Sequence, residues 1–252
     1  MRLNKFISHN SSYSRREADL LIKSGQVKIG QSTITQDFYE VKPEDKVFVK
    51  NQRIRVKTQF VAIAYHKDKA QLVTHKDDRE RKTIFHALPQ GFSSFHAAGR
   101  LDYTSTGLLI LSSSPVVATA LERSKWNRKY LLKVRGDIDK RVITAMEEGV
   151  RVGLKGAHEL NREDNMELAP FASYELKTPS GGFSKLKVEI SEGKNRELRR
   201  FFAHFDLEVM ELKRVSYGPI QLGTLKPGKW RYLERKEYEA IRELLKDEGL
   251  RY

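Results

Sequence analysis

One carboxylate in this chain of 252 residues is set apart by its neighbours. Asp102 lies in Gly99-Arg100-Leu101-Asp102-Tyr103-Thr104-Ser105-Thr106-Gly107, which runs straight into Leu108-Leu109-Ile110-Leu111. An Asp between an Arg and a Thr/Ser-Gly turn, at the edge of a buried strand, is partly desolvated and close to a cation, a setting for a nucleophile or general base. As an isolated residue, an Asp in a loop before a strand is more often a turn former. The remaining reactive inventory is narrow. There is no cysteine, which excludes thiol nucleophiles, thiolate metal sites, iron–sulfur clusters and a disulfide scaffold. The histidines His9, His66, His75, His86, His96, His158 and His204 show no metal-binding HxH or HExxH spacing, and no Gly-rich phosphate or dinucleotide loop is present. No metal and no cofactor are expected, and the chemistry falls to carboxylates, phenols, hydroxyls and cations.

The charge balance names the kind of partner. Forty-seven Lys and Arg against 33 Asp and Glu leave a formal net charge of +14, which calls for an anionic surface, nucleic acid or membrane. A membrane binder would need a long basic amphipathic helix, and none stands out. The apolar run Leu108 to Leu111 falls far short of the ~18–20 residues that span a bilayer. The opening Met1 to Asn10 lacks the apolar stretch of a secretion signal. RNA or DNA is therefore the expected partner, and the cytoplasm the expected location.

The elements that must position these groups fall into two parts. Residues 1–57 hold twelve Lys or Arg against six Asp or Glu, a denser excess of positive charge than in residues 58–252. Leu3, Phe6 and Ile7 share one face of a short helix. Ser14-Arg15-Arg16-Glu17 has the form of a capping box opening a second helix, with Ala18, Leu21 and Ile22 as its apolar stripe and Gly25 as its stop. Gln26 to Gly30 reads as a strand. Arg15 and Arg16 stand in the first helical turn, where the macrodipole disfavours each cation by about 0.3–1 kcal/mol. That cost suggests a grip on a phosphate backbone, against the plain alternative of a solvated helix face.

Residues 2–53, with Arg2-Leu3, Ser14 to Ala18, Ile22 to Val27 and Val47-Phe48-Val49, resemble the S-four-type (αL) RNA-binding domain. The resemblance implies a module of two helices and a small sheet that docks on structured RNA through its second helix. It specifies a ligand and no chemistry.

In the second part, Asn51 to Thr58 reads as a linker, Phe60 to Tyr65 as a strand and Lys67 to Lys82 as a charged loop. Tyr130 to Arg135 and Lys185 to Ile190 alternate apolar and polar residues, the mark of strands with one buried face. Ser114-Pro115 opens a helix, and Tyr238, Ile241 and Leu245 lie on one face of a packing helix over 234–248. Leu198, Phe201, Phe202 and Phe205 line one face of a further helix, which presents Arg196, Arg199 and Arg200 outward on the other. The expected fold is α+β on a mainly antiparallel mixed sheet.

The segment Gly99 to Ser113 resembles, without a mismatch, the signature of the RsuA/RluB type of ribosomal RNA pseudouridine synthase. Arg128 to Val134 is similar to that family's tyrosine strand, and Ile190 to Phe202 to its basic helix. Leu212 to Ile220 and Leu225 to Trp230 are similar to its closing strands. The resemblance runs from Arg2 to about Leu233 and implies an S-four-type domain at 1–57 followed by a catalytic domain at 58–252. It implies that Asp102 is the nucleophile, attacking the ribose or the base of a flipped uridine. Tyr130 would lie against the uracil and take the C5 proton. Arg199 would pair with Asp102, a bidentate grip that keeps the carboxylate ionised and oriented. Arg100 would fill the space the base vacates, Leu212 would wall the pocket, and Arg15, Arg16, Arg196 and Arg200 would contact RNA.

The reaction consumes no external reactant, in keeping with the absence of cofactor motifs. The form Glu192 to Arg200 resembles the RluB branch more closely, which implies a uridine in 23S rRNA; a 16S rRNA enzyme or a non-enzymatic ribosome-assembly factor are the alternatives. The implied partner is ribosomal RNA or a pre-ribosomal particle, met by a monomer without membrane or metal. Two departures from the family, Lys67-Asp68-Lys69-Ala70 for Lys-Pro-x-Gly and Ser113-Ser114-Pro115 for Asn-Asp-Gly, bear on RNA-loop contacts and leave the catalytic positions untouched.

Overall fold

The computed structural model describes residues 1–36, 38–155 and 165–250, so His158 lies outside the described residues. The chain divides into two compact units, one on Met1–Phe60 and one on Val61–Ser113 with Val117–Leu250.

In the first unit, α1 (Leu3–Asn10) and α2 (Arg15–Lys23) accompany β1 (Val27–Ile29), β2 (Ser32–Thr33), β3 (Val47–Val49) and β4 (Gln52–Arg53), ordered β2-β1-β3-β4 in the sheet. The capping box forms: the Ser14 hydroxyl accepts from the Glu17 N–H at 3.2 Å and the Glu17 carboxylate from the Ser14 N–H at 2.7 Å. Gly25 ends the helix at φ +70°, a conformation that costs a glycine little. Leu3, Ile7, Ala18, Leu21, Ile22, Val27, Val47 and Val49 form the core, and Arg15 and Arg16 stay exposed.

The second unit comprises β5 (Ala62–Lys67), β6 (His96–Ala97), β7 (Thr106–Ser112), α3 (Pro115–Arg123), β8 (Arg128–Arg135), α4 (Lys140–Glu148), β9 (Val150–Val152), β10 (Met166–Leu168), β11 (Ser173–Ser180), β12 (Phe183–Ile190), α5 (Glu197–His204), β13 (Glu208–Tyr217), β14 (Ile220–Gln221), β15 (Trp230–Tyr232) and α6 (Arg235–Asp247). The main sheet runs β11-β12-β8-β13-β7-β5-β15, with β14 on β13 and β6 on β7. Among the described residues its pairings are antiparallel except β13 with β7, where Lys213 faces Thr106 and Arg214 faces Gly107. This mixed, mainly antiparallel sheet with flanking helices is the expected α+β class.

The parallel pair decides where Asp102 sits. It brings the start of β7, just after Asp102, against the middle of β13. The approach is so close that a Cβ on Gly107, at φ +107°, would lie 2.2 Å from the Arg214 carbonyl oxygen. Only glycine fits that contact.

The alternation expected of β8 is present: Arg128, Tyr130, Leu132 and Val134 are buried, and Leu131 and Arg135 are exposed. The buried side packs with Leu198, Phe201 and Phe202 of α5 and with Val142 and Met146 of α4, each such side chain contributing about 1.5–3 kcal/mol by leaving water. In α6, Ile241 and Leu245 are buried, and the Tyr238 hydroxyl bridges the N–H and carbonyl of Ala62 at 2.8 and 3.1 Å.

Two expectations are corrected. The strand expected over Phe60 to Tyr65 is shifted to Ala62–Lys67, buried at each residue, so it takes in His66, and Lys67 belongs to the sheet and not to the expected loop. Leu222 to Lys229 forms two turns, closed by the Leu225 N–H on the Leu222 carbonyl and the Lys229 N–H on the Lys226 carbonyl, with the strand confined to Trp230–Tyr232, because Pro227 has no N–H to give a ladder. Among the described residues no helix is long and apolar enough to cross a membrane.

Candidate active site

Asp102 occupies a turn closed by the Ser105 N–H on the Asp102 carbonyl at 3.0 Å. Its side chain is 32% exposed, and two guanidiniums face its Oδ2: Arg199 Nε at 3.2 Å and Arg196 Nη1 at 3.4 Å.

Arg199 is fixed by four groups at once. Nε donates to Asp102, Nη1 to the Val209 carbonyl at 2.8 Å, and Nη2 to the hydroxyls of Thr104 at 3.0 Å and Ser105 at 3.3 Å. The expected bidentate grip is therefore corrected to a single charge-assisted bond, since the two terminal nitrogens are taken by the loop hydroxyls and by β13. Burial pushes the Arg199 pKa down, and the Asp102 charge pulls it back up. Orientation comes from the rest of the helix. With Leu198, Phe201 and Phe202 buried, α5 has one allowed rotation about its axis, and that rotation aims Arg199 at the Asp102 turn.

Arg196 precedes α5 in the left-handed region, φ 50° and ψ 29°, a conformation that costs a non-glycine residue about 1–3 kcal/mol. From there its side chain reaches Asp102. Arg200 behaves otherwise. It is wholly buried, and its Nε and Nη2 both donate to the Gly153 carbonyl, at 3.1 and 2.9 Å. The outward-facing, RNA-contacting role expected for Arg200 is overturned: one helical step past Arg199 the surface of α5 is already covered, and the guanidinium serves a half-buried carbonyl beside β9.

Tyr130, Leu212 and Leu101, the residue preceding Asp102, are each 7–8% exposed and belong to one apolar cluster. Tyr130 lies across from Arg214 on β13, and Leu212 across from Leu132 on β8. Arg100 is exposed. Asp102, Arg196 and Arg199 are thus in direct contact, Tyr130 and Leu212 share an apolar cluster with the neighbouring Leu101, and Arg15 and Arg16 lie in the other unit.

Two further residues escaped sequence reasoning. Lys67, at the end of β5, is wholly buried and donates to the carbonyls of Ser105 at 2.7 Å, Asp68 at 3.0 Å and Tyr103 at 3.5 Å. It holds the backbone of the turn that follows Asp102. Burial lowers its pKa to about 8, opposed by the charges of Asp102 and Asp68. Glu197 is 5% exposed between the two arginines that reach Asp102, and its carboxylate accepts from the Lys194 N–H at 2.9 Å. Burial raises its pKa to about 7; Glu192 adds to this, while the Lys194 bond and the Lys194 and Arg128 charges work against it.

Comparison with known proteins identifies the family. Residues 61–204 match the RNA pseudouridylate synthase family, and residues 1–47 match the S4 domain. The chain is 40% identical over 245 residues to an uncharacterized RNA pseudouridine synthase of Helicobacter pylori, covering 96% of this chain and 93% of that protein. It is 32% identical over 260 residues to one of Aquifex aeolicus, covering 100% and 96%. A crystal structure of a pseudouridylate synthase superposes with a TM-score of 0.62 over 96% of this chain and 99% of that one, at 22% identity, which supports the fold. The chain carrying this arginine-held aspartate belongs to the RNA pseudouridine synthase family, with an S4 domain at its N-terminus.

Proposed function

We propose that this isomerase acts on ribosomal RNA, converting a uridine to pseudouridine with Asp102 as nucleophile. The observation that carries the reading is the contact of Asp102 with Arg196 and Arg199, next to the Leu101, Tyr130 and Leu212 cluster. The target base is extruded from the folded RNA at a cost of a few kcal/mol before Asp102 reaches it. The N1–C1′ bond then breaks, the uracil turns, C5 bonds to C1′, C5 loses its proton and N1 gains one. Atoms balance without a co-reactant.

In this reading Arg196 and Arg199 hold the carboxylate in place while the bond to it forms and breaks. Tyr130 packs along the uracil and receives the C5 proton. Leu212 walls the base in, and exposed Arg100 takes the space it leaves. Exposed Arg15 and Arg16 at the start of α2 bind phosphates, giving affinity, while the cleft selects the base. The form Glu192 to Arg200, similar to the RluB branch, favours a uridine of 23S rRNA.

The test is tritium release from C5-labelled uridine in 23S and 16S rRNA transcripts, followed by mapping of the product. Release from 23S rRNA by the wild type and none by Asp102→Asn, with RNA affinity retained, is the expected result. Turnover by rigorously purified Asp102→Asn protein would sink the nucleophile assignment, and release from 16S rRNA alone would reassign the target.

A further inference from the structure

The sheet face turned away from α5 carries a row of like charges. Lys133 on β8 is the cross-strand neighbour of Lys185 on β12, and Lys185 of Lys177 on β11. Directly opposed residues share a face with Cβ atoms ~4.5–5.5 Å apart, and like charges there are destabilising. Lys177 and Lys185 are exposed and Lys133 is half-buried. On the same face the strands pair opposite signs, Lys187 with Glu175 at 2.9 Å and Lys129 with Glu189 at 3.4 Å. In the row itself, no ion pair joins a carboxylate to Lys133, Lys177 or Lys185 among the described residues. Glu211 stands opposite Lys133 on β13, yet the Lys133 ammonium lies over the Phe183 ring, 4.3 Å from its centroid.

Protection of a sheet edge accounts for only one of the three. Lysines on edge strands discourage strand addition, and β11 is the edge. Strands β12 and β8 are interior, so Lys185 and Lys133 guard nothing. What the row does offer is three cations across adjacent strands, with Leu131 (43% exposed) and Phe183 as apolar surface beside them. Cations interleaved with apolar side chains on an open sheet suit a nucleic acid, whose phosphates neutralise the first and whose bases and sugars lie on the second.

The row also lies on the far face from the catalytic groups. Tyr130 and Leu132 point into the α5 side of β8, while Leu131 and Lys133 alternate to the other. We propose that Lys133, Lys185 and Lys177 form a second RNA-binding surface, which takes the phosphate backbone of a folded RNA extending past the β11 edge from the segment that holds the target uridine. The inference rests on the RNA-modifying activity and deepens it: the preferred substrate is a multi-segment folded RNA, and a short stem-loop engages only the Asp102 face.

The test replaces all three by glutamine (Lys133→Gln, Lys177→Gln, Lys185→Gln) in the full chain, a change that relieves repulsion and is expected to leave Tm unchanged or raised. Affinity for a 23S rRNA transcript is measured against salt, and kcat/KM is measured on that transcript and on a short stem-loop carrying the mapped uridine. Each phosphate-neutralising cation that is removed reduces the slope of log K against log salt by about 0.7–0.9, so a fall of about 2–3 is expected. KM on the transcript rises at least about tenfold, the stem-loop is converted as by the wild type, and a triple Lys→Arg variant restores transcript binding. An unchanged slope and KM, or an equal loss on both RNAs, overturns the proposal. A wild type that converts neither RNA refutes the rRNA assignment instead.

Discussion

Lys67 donates its ammonium to the Ser105 carbonyl at 2.7 Å, so the buried end of β5 holds the turn that carries Asp102. Removing that ammonium takes the charged donor from the buried Ser105 carbonyl, at about 1–3 kcal/mol. Lys67→Met is expected to lower kcat at least about tenfold while RNA affinity stays within about twofold, a split that steady-state kinetics and filter binding separate. The folded pKa of about 8 lies below the ordinary lysine value of 10.5, so the native state sheds its proton first. The wild type therefore gains stability as pH rises from about 8 to 10.5, and Lys67→Met loses that gain. A Tm series across this window checks the sign.

Arg199 serves Asp102, Thr104, Ser105 and Val209 together, which a lysine cannot do. Arg199→Lys keeps the charge and gives up the fork. One charge-assisted hydrogen bond is worth about 1.5–3 kcal/mol, so kcat is expected to fall about 10–100-fold with KM little changed. A KM effect without a kcat effect would show that Arg199 binds RNA and does not position the carboxylate.

Glu197 predicts the opposite pH trend to Lys67. Its folded pKa of about 7 stands above the ordinary carboxylate value of 4.5, so its contribution is full below 4.5 and is lost as pH rises through about 7. The ceiling on that loss is roughly 3 kcal/mol at 1.36 kcal/mol per pKa unit. Glu197→Gln, which keeps an acceptor for the Lys194 N–H, is expected to flatten denaturation midpoints between pH 5 and 7.5 by an amount up to this ceiling; parallel curves for the two proteins would refute it.

Arg200 and the α2 arginines divide stability from affinity. Arg200→Met leaves the half-buried Gly153 carbonyl without the donors of the buried guanidinium and is expected to destabilise the fold by about 1–3 kcal/mol with no change in RNA affinity. Arg15→Gln with Arg16→Gln, both on an exposed turn, is expected to leave stability within about 0.5 kcal/mol and to lower the salt slope of rRNA binding by about 1.4–1.8. Urea titration and salt-dependent binding on the same preparations distinguish the two.

What could be read along the chain was whatever depends on near neighbours. The Ser14/Glu17 capping box, the buried Leu198, Phe201 and Phe202 face of α5, and the alternation of β8 follow from three-residue reach, 3.6-residue and two-residue periods. The Asp102 segment stood out because the aspartate, its cation and its glycine lie within eight residues. What depends on groups far apart in sequence was decided only by tertiary packing. Helical period put Arg199 and Arg200 on one polar arc, but the Gly153 carbonyl claims one and the Asp102 turn the other. Lys67 is indistinguishable from a loop lysine until β5 is paired between β7 and β15, which buries its stem and brings its ammonium to a carbonyl 38 residues away. The like-charged row exists only through the registers that align β8, β12 and β11. Local spacing sets which face of an element is apolar; what each polar side chain meets is set by the neighbour that packs against it.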